Sequence, residues 1–284
     1  MHDKHRRRII GDVVAWVLLL GVGSLWVMPF LWMVFSSFKR LDEIYMFPPT
    51  LFPEAWRWQN YIEAWTALPF AIFLKNSVIV TVSVTLGQLL TCSLAGYAFG
   101  RLRFPGRDTI FLGYLATMMV PFPVTMIPIF IIMRNLALVD TLQGLILPGL
   151  FSAWGTFLMR QFMLTLPKEL EEAAKIDGSS IFGIYWRIIA PLSTPVFATL
   201  GVFTFLGHWN AFLWPLIMIS SIEKKTLPLG LAMFRSQMSA AIEMPWHLIM
   251  ASATFSIIPV LVLFVALQKY YVRGIALSGL KGAA

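Results

Sequence analysis

The densest group of residues able to do chemistry in this 284-residue chain lies between positions 160 and 187. There Arg160, Lys168, Lys175 and Arg187 are interspersed with Glu169, Glu171, Glu172 and Asp177, four charges of each sign in a helix-forming stretch. Such a segment can hold a charged partner surface. Nothing around it assembles a catalytic centre. No G-x-x-x-x-G-K-[ST] phosphate loop and no H-E-x-x-H helix occurs anywhere in the chain. The four His residues (2, 5, 208 and 247) and the single Cys92 are scattered without metal-ligand spacing, so no catalytic residue, metal site or cofactor is assigned to this chain. The chemistry on offer is recognition.

Local signals place these charges on a short surface helix. Pro167 suits a first helical turn, where its missing N–H would be unpaired anyway. Glu169, Glu171 and Glu172 then sit at the positive end of the helix dipole. Gly178 marks the end, being the residue that most cheaply takes a left-handed conformation. Leu170, Ala173, Ala174 and Asp177 fall at i, i+3, i+4 and i+7, a stripe that lets another surface approach closely. Glu171 and Lys175 stand one turn apart, as an ion pair requires. After Gly178-Ser179-Ser180, a bulkier apolar piece (Ile181, Phe182, Ile184, Tyr185, Trp186) leads to Pro191, where a membrane span is expected to start.

The rest of the chain is built to hold that helix at a membrane. It is 58% hydrophobic and 13% charged, against about 45–50% and about 25% for ordinary soluble domains. That excludes most soluble enzymes, disordered chains and, with one cysteine, a disulfide scaffold. The longest intervals without Asp, Glu, Lys or Arg are 13–38, 76–100, 109–133, 141–159, 188–222 and 244–268. Crossing ~30 Å of hydrocarbon takes about 20 helical residues. The expected fold is therefore an all-α membrane protein with six transmembrane helices at about 13–38, 76–100, 109–133, 141–165, 188–220 and 245–268, and a cytoplasmic segment at 166–187 between spans 4 and 5.

The net charge of +8 reads as orientation, and nucleic acid is not needed as a partner. Lys4, Arg6, Arg7 and Arg8, then Arg101, Arg103 and Arg107, then Lys269, Arg273 and Lys281 must share one side, together with the four cations of 160–187. That side is expected to be the cytoplasm, with an N-terminal segment 1–12 and a tail 270–284 both inside. On the outer side, Trp56, Trp58, Tyr61 and Trp65 suit an interfacial aromatic belt. The first window is expected to be a retained span, since it lacks a small-residue cleavage site.

Within the windows, Pro121, Pro123 and Pro128 predict a kinked, pore-lining third helix, because freed backbone groups at membrane depth are tolerated only against protein or a cavity. Candidate solute contacts are Gln88, Thr125, His208, Trp209 and Asn210, with Trp209 and Asn210 offering the aromatic face and hydrogen bonds that sugars use. Thr91 and Ser93 are further polar residues of the second window, where Cys92 reads as a small packing residue.

Residues 172–191, EAAKIDGSSIFGIYWRIIAP, resemble the EAA signature of membrane subunits of ATP-binding-cassette importers. Glu172, Ala173, Ala174, Gly178, Ile188 and Pro191 fill the signature places, and Ala190 stands where the family usually has Leu. The Trp209-Asn210 and Trp214-Pro215 pairs, TLPLGLAMF at 226–234 and YYVRGIALSGLKG at 270–282 are similar to the smaller permease of carbohydrate importers of the maltose type. The resemblance implies the type I importer permease fold in the cytoplasmic (inner) membrane of a prokaryote. The implied partners are a second homologous permease, two ATPase subunits that use ATP and Mg, an extracytoplasmic solute-binding protein and a carbohydrate, with a glycerol phosphate as the alternative solute. It further implies that Glu172, Ala173, Ala174, Asp177, Gly178, Ile188 and Pro191 couple to an ATPase. By the same resemblance Leu227, Pro228, Leu229 and Gly230 belong to a loop facing the binding protein, and Gly274 to Gly282 reach toward the ATPase pair. A secondary transporter is disfavoured because no ionisable carboxylate or cation lies inside a window.

Overall fold

The computed structural model describes the backbone of residues 2–238 and 244–279, and side chains within 11–233 and 244–266 with the exception of residue 13. Every regular element among the described residues is helical. The chain divides into two compact units, residues 1–69 with 231–258, and residues 70–230 with 259–284.

In the first unit, α1 (His2–Ser36) is a long apolar helix, followed by the short α2 (Leu41–Tyr45) and α3 (Gln59–Ala67). A buried polar knot ties these short helices together. The Lys39 ammonium donates to the carbonyl and hydroxyl of Thr50, and the Glu43 carboxylate accepts from Glu54 N (3.1 Å) and the Thr50 hydroxyl (3.3 Å). The Asn60 amide donates to the carbonyls of Ser37 and Lys39, both at 2.8 Å. Phe38 sits among Trp56, Trp58 and Tyr61 with ring centroids 4.7–5.1 Å apart.

The second unit is organised by α4 (Phe70–Arg101), an unbroken 32-residue helix. After it come α5 (Arg107–Ala116), α6 (Phe122–Asn135), α7 (Leu142–Ile146) and α8 (Ala153–Leu164). The charged segment supplies α9 (Glu169–Ile176) and α10 (Ile181–Ile184); a π-helical turn at Tyr185–Ile189, α11 (Ala190–Leu192), α12 (Thr194–Trp209) and α13 (Leu213–Met218) follow. The last two helices, α14 (Leu227–Met238) and α15 (Trp246–Gly279), cross the boundary between units.

Among the described residues, four stretches are long and apolar enough to cross a membrane without a sharp bend: Val14–Ser36, Phe70–Arg101, Leu142–Leu164, which runs through a 3₁₀ turn, and Trp246–Ala266. The third and fifth windows are instead bent pairs, Arg107–Met119 with Phe122–Asn135 at 104° and Ile181–Leu192 with Thr194–Trp209 at 77°. Neither member of the first pair reaches across ~30 Å at ~1.5 Å per residue. The prolines therefore do more than kink the third window. Pro121 has no N–H to continue a helix and holds an extended ψ of 141°, so it splits the window in two. The fifth span also departs from expectation. Pro191 lies in the elbow, and the long helix begins at Thr194, because the π-helical turn and Ser193 redirect the chain first.

Helix α4 packs closely on α8 and α12. Glycines at the crossing permit this: a Cβ on Gly96 would lie 2.7 Å from Met159 Cβ and 2.9 Å from Arg160 N, and one on Gly155 would lie 2.9 Å from Cys92 Sγ. Cys92 is a free, buried thiol in that contact. One core joins Cys92, Tyr97, Met159 and Met163 to Ala174, Tyr185, Ile189 and Leu200, so the charged segment shares its apolar interior with α4, α8 and α12.

The same helix supplies donors to a break in the fourth window. Residues 147–150 form a 3₁₀ turn ahead of α8, which frees carbonyls from helical pairing. Gln88 Nε2 donates to Gly149 O (2.7 Å), Thr91 Oγ1 to Leu150 O (2.6 Å) and Cys92 Sγ to Ser152 O (3.4 Å). A Gly96→Ala substitution is expected to cost about 1–3 kcal/mol, the usual penalty of overpacking. Thermal denaturation of the solubilised protein should show a lower Tm for it, while Gly113→Ala, with nothing within 4 Å, should leave Tm essentially unchanged.

Candidate functional site: the charged helix and its anchors

Helix α9 ends as its sequence requires. Asp177 is the C-cap, Gly178 takes φ +78°, Gly178 N donates to Lys175 O (3.0 Å) and Ser179 N donates to Ala174 O (2.9 Å). This is the paired closure that a left-handed glycine allows. Ser180 then caps α10 by accepting from Gly183 N at 3.1 Å.

The eight residues of α9 divide sharply into an inner and an outer face. Ala174 and Glu171 are buried, whereas Leu170, Glu172, Ala173, Lys175 and Ile176 are exposed, Ile176 at 86%. The small-residue stripe is thus split: Ala174 seats the helix on its own core, and Leu170, Ala173 and Asp177 remain outward. Of the signature residues, Ile188 is half-buried and Pro191 exposed in the elbow.

Glu171 does not reach for Lys175. Its Oε1 lies 2.5 Å from Arg101 Nε, with the two side chains 8% and 2% exposed. Arg101 Nη2 also donates to Leu166 O (3.0 Å) and Pro167 O (3.1 Å), the carbonyls that lead into α9. Arg160 answers from the opposite direction, its Nε donating to Phe99 O (3.1 Å) near the end of α4. On the far side of the segment, the Tyr185 and Ser93 hydroxyls are 2.6 Å apart in a buried hydrogen bond, and the rings of Tyr97 and Tyr185 lie 5.4 Å apart. Arg101, Ser93 and Tyr185 are the anchors of the charged segment that the sequence did not disclose. Arg101 reads there as one of three orienting cations, and its partner is 70 positions away. No short-range signal could have paired them.

The candidate solute residues separate into committed and available groups. Gln88 is 8% exposed with both amide ends in use, since its Oε1 also accepts from Thr204 Oγ1 at 2.9 Å. Thr125 donates to Phe122 O within α6, and Asn210 Nδ2 closes the end of α12 on Leu206 O, both at 3.0 Å. Trp209 is buried and stacked on Phe205 with centroids 5.6 Å apart. His208 alone of the five lines the cavity of about 490 Å³ within the second unit. That cavity also presents Phe122, Phe212 and Trp214, and the hydroxyls of Thr81 and Thr226, which have no partner among the described residues. No Lys, Arg, Asp or Glu lines it.

The stretch expected to face a binding protein is largely turned inward. Leu227 and Leu229 are 1% and 2% exposed, Leu227 N is held by Ser77 Oγ (2.7 Å), and Gly230 packs against the Phe73 ring. Only Pro228 is partly open among those four. The residues just before it are clamped as well. Asn76 donates to Glu223 O and Lys225 O at 2.9 Å, and Asp140 accepts from Ser220 N and Ser221 N at 3.0 Å, from the Ser221 hydroxyl and from Lys224 Nζ. Those donors, the Ser221 side chain foremost, hold the Asp140 carboxyl well below the usual carboxylate range. Residues 239–243 of that loop and 280–284 of the tail lie outside the described residues, as do the tail's side chains.

Removing one member of a buried ion pair strands the other without a counter-charge, at a cost of about 3–5 kcal/mol. Arg101→Leu is therefore expected to lower the Tm of the purified protein markedly. An unchanged Tm would contradict the buried pairing.

Comparisons with known proteins agree with this architecture. The arabinooligosaccharides transport system permease protein AraQ of Halalkalibacterium halodurans is 33% identical over 97% of this chain and 100% of its own length. The sn-glycerol-3-phosphate transport system permease protein UgpE of Yersinia pestis is 34% identical over 93% of this chain and 95% of its own. A crystal structure of a bacterial ABC transporter involved in the import of the acidic polysaccharide alginate contains a chain that superposes with a TM-score of 0.83 at 25% identity, covering 93% of this chain and 97% of that one. The model of the family described as binding-protein-dependent transport system inner membrane component matches residues 92–277. That range holds α8, the charged helix α9 and its elbow, and the chain belongs to this family of ATP-binding-cassette importer permeases.

Proposed function

We propose that this chain is one of two homologous permeases that carry a carbohydrate inward across the cytoplasmic membrane. In this reading each bent pair counts as one span, giving six spans with both termini and α9 on the cytoplasmic side. Two separate ATPase subunits bind ATP and Mg, and an extracytoplasmic protein delivers the solute. The observation that carries the reading is the two-faced α9. Glu171 and Ala174 lock it to the core, which leaves Glu172, Ala173 and Ile176 free to seat in a partner. A helix held so firmly on one side can deliver the partner's movement to α4 and α12, and so switch a cavity between the two sides of the membrane.

Two features support a neutral solute. The 490 Å³ cavity offers aromatic faces and hydroxyls, as sugar recognition requires, and AraQ is named for arabinooligosaccharides. The glycerol phosphate reading rests on the relative UgpE. A phosphate would want cations in the cavity wall, and only His208 is there.

A Glu172→Lys variant, assembled with its partners in vesicles, is expected to lose at least about tenfold of ATP-driven sugar uptake, the factor that ~1.4 kcal/mol of lost docking energy carries. Its membrane insertion should be normal. Full uptake by that variant would overturn the coupling role.

A further inference from the structure

A second cavity, of about 620 Å³, opens between the end of α4, the 102–106 connection and α9. Five cations line it, and two of them are committed elsewhere. Arg101 holds Glu171, and Arg107 is paired with Asp108 at 3.0 and 3.1 Å. The side chains of Arg103, Lys168 and Lys175 make no hydrogen bond or ion pair among the described residues, although all three residues are exposed around one space. Glu172 is the one carboxylate of the wall that is not paired with a cation. Three like charges around one space repel each other, and an anion seated among them relieves that repulsion.

The height of the cavity says which anion meets it. The charge-free part of α4 ends at Gly100 and the next charge-free window starts at Thr109. Arg103 therefore stands where two spans leave the hydrocarbon, at the level of phospholipid headgroups. Phe104 and Ile181 give the wall an apolar margin, and Phe182 and Trp186, 70% and 55% exposed, extend the apolar surface beyond Ile181. A diffuse protein-docking face would not need apolar and cationic groups mixed at this depth, whereas a lipid headgroup with its glycerol and upper acyl chain does.

We propose that this cavity binds the phosphate of an anionic phospholipid, held by Arg103 from the membrane connection and by Lys168 and Lys175 from the charged segment. The lipid then bridges α9 to the bilayer surface and steadies it against the partner's pull. This deepens the function proposed above and rests on its assignment of α9 to a membrane surface.

The test uses the assembled transporter in nanodiscs of phosphatidylcholine alone or mixed with phosphatidylglycerol, followed by native mass spectrometry of the extracted complex. The wild type is expected to retain phosphatidylglycerol that an Arg103→Gln/Lys168→Gln variant loses and an Arg103→Lys/Lys168→Arg variant keeps. ATP hydrolysis stimulated by sugar and binding protein should rise several-fold with phosphatidylglycerol in the wild type and in the charge-conserving variant, and not in the Gln variant. Equal lipid retention in wild type and the Gln variant would overturn the proposal. The same stimulation by millimolar inorganic phosphate in phosphatidylcholine would reassign the site to free phosphate. Loss of the ATPase subunits from the Gln variant in both lipids would reassign it to protein docking. Labelling of Ile176→Cys by a membrane-impermeant maleimide fails separately: reaction from outside intact cells would overturn the sidedness, whatever the lipid result.

Discussion

A helix interrupted inside a membrane leaves carbonyls and N–H groups that no water can satisfy, and the second unit is arranged around that constraint. Its long uninterrupted helix α4 supplies partners to its neighbours. Gln88 and Thr91 reach the carbonyls of Gly149 and Leu150 at the break, and Cys92, beside Thr91, adds a donor to the Ser152 carbonyl that opens α8. Lower down, Arg101 does the same for the carbonyls of Leu166 and Pro167, and Arg160 returns a donor to α4 at Phe99. The close helix crossing at Gly96 and Gly155 brings these groups within reach.

That arrangement also makes the charged segment mechanically part of α4. Arg101 combines a buried ion pair with two backbone hydrogen bonds, so a single side chain fixes both the entry to α9 and its first turn. Tyr185 fixes the exit through Ser93. Between these two anchors the side chains of Glu172, Ala173 and Ile176 lie exposed on the outer face of α9, with no hydrogen bond or ion pair among the described residues. A lever needs one held side and one free side, and the division of polar residues here supplies both. In the function proposed above, that free side is the one that meets a partner ATPase.

Much of this was readable from local sequence. Charge-free windows located the long apolar helices, Gly178 fixed the end of α9, and Pro121 announced a break because a residue without an N–H cannot carry a helix through. Glu172 and Ala173 are exposed on α9, whereas Ala174, which sequence places in the same stripe as Ala173, is buried. What sequence left closed was everything set by pairs distant in the chain. Arg101 and Glu171 carry no mutual signal across 70 positions. Gln88 looks the same as a solute ligand or as a clamp, and only its two partners show it to be a clamp. Leu227 and Leu229 carry no local mark of burial, yet Ser77 and Phe73 draw that stretch into the unit. The elbow at Ser193 also escaped notice, because a π-helical turn adds one residue to a helix without any compositional mark.

The central claim is that α9 and α4 move as one body. It is tested most directly by pulsed electron–electron resonance distances between spin labels at Glu169 and Leu90, in a Cys92→Ser background of the assembled transporter. Cys92 is the chain's only cysteine and its Sγ donates to Ser152 O, a role that serine can keep. The account predicts one narrow distance distribution that is the same without nucleotide and with ATP bound. A distribution that shifts or splits when ATP binds would contradict it.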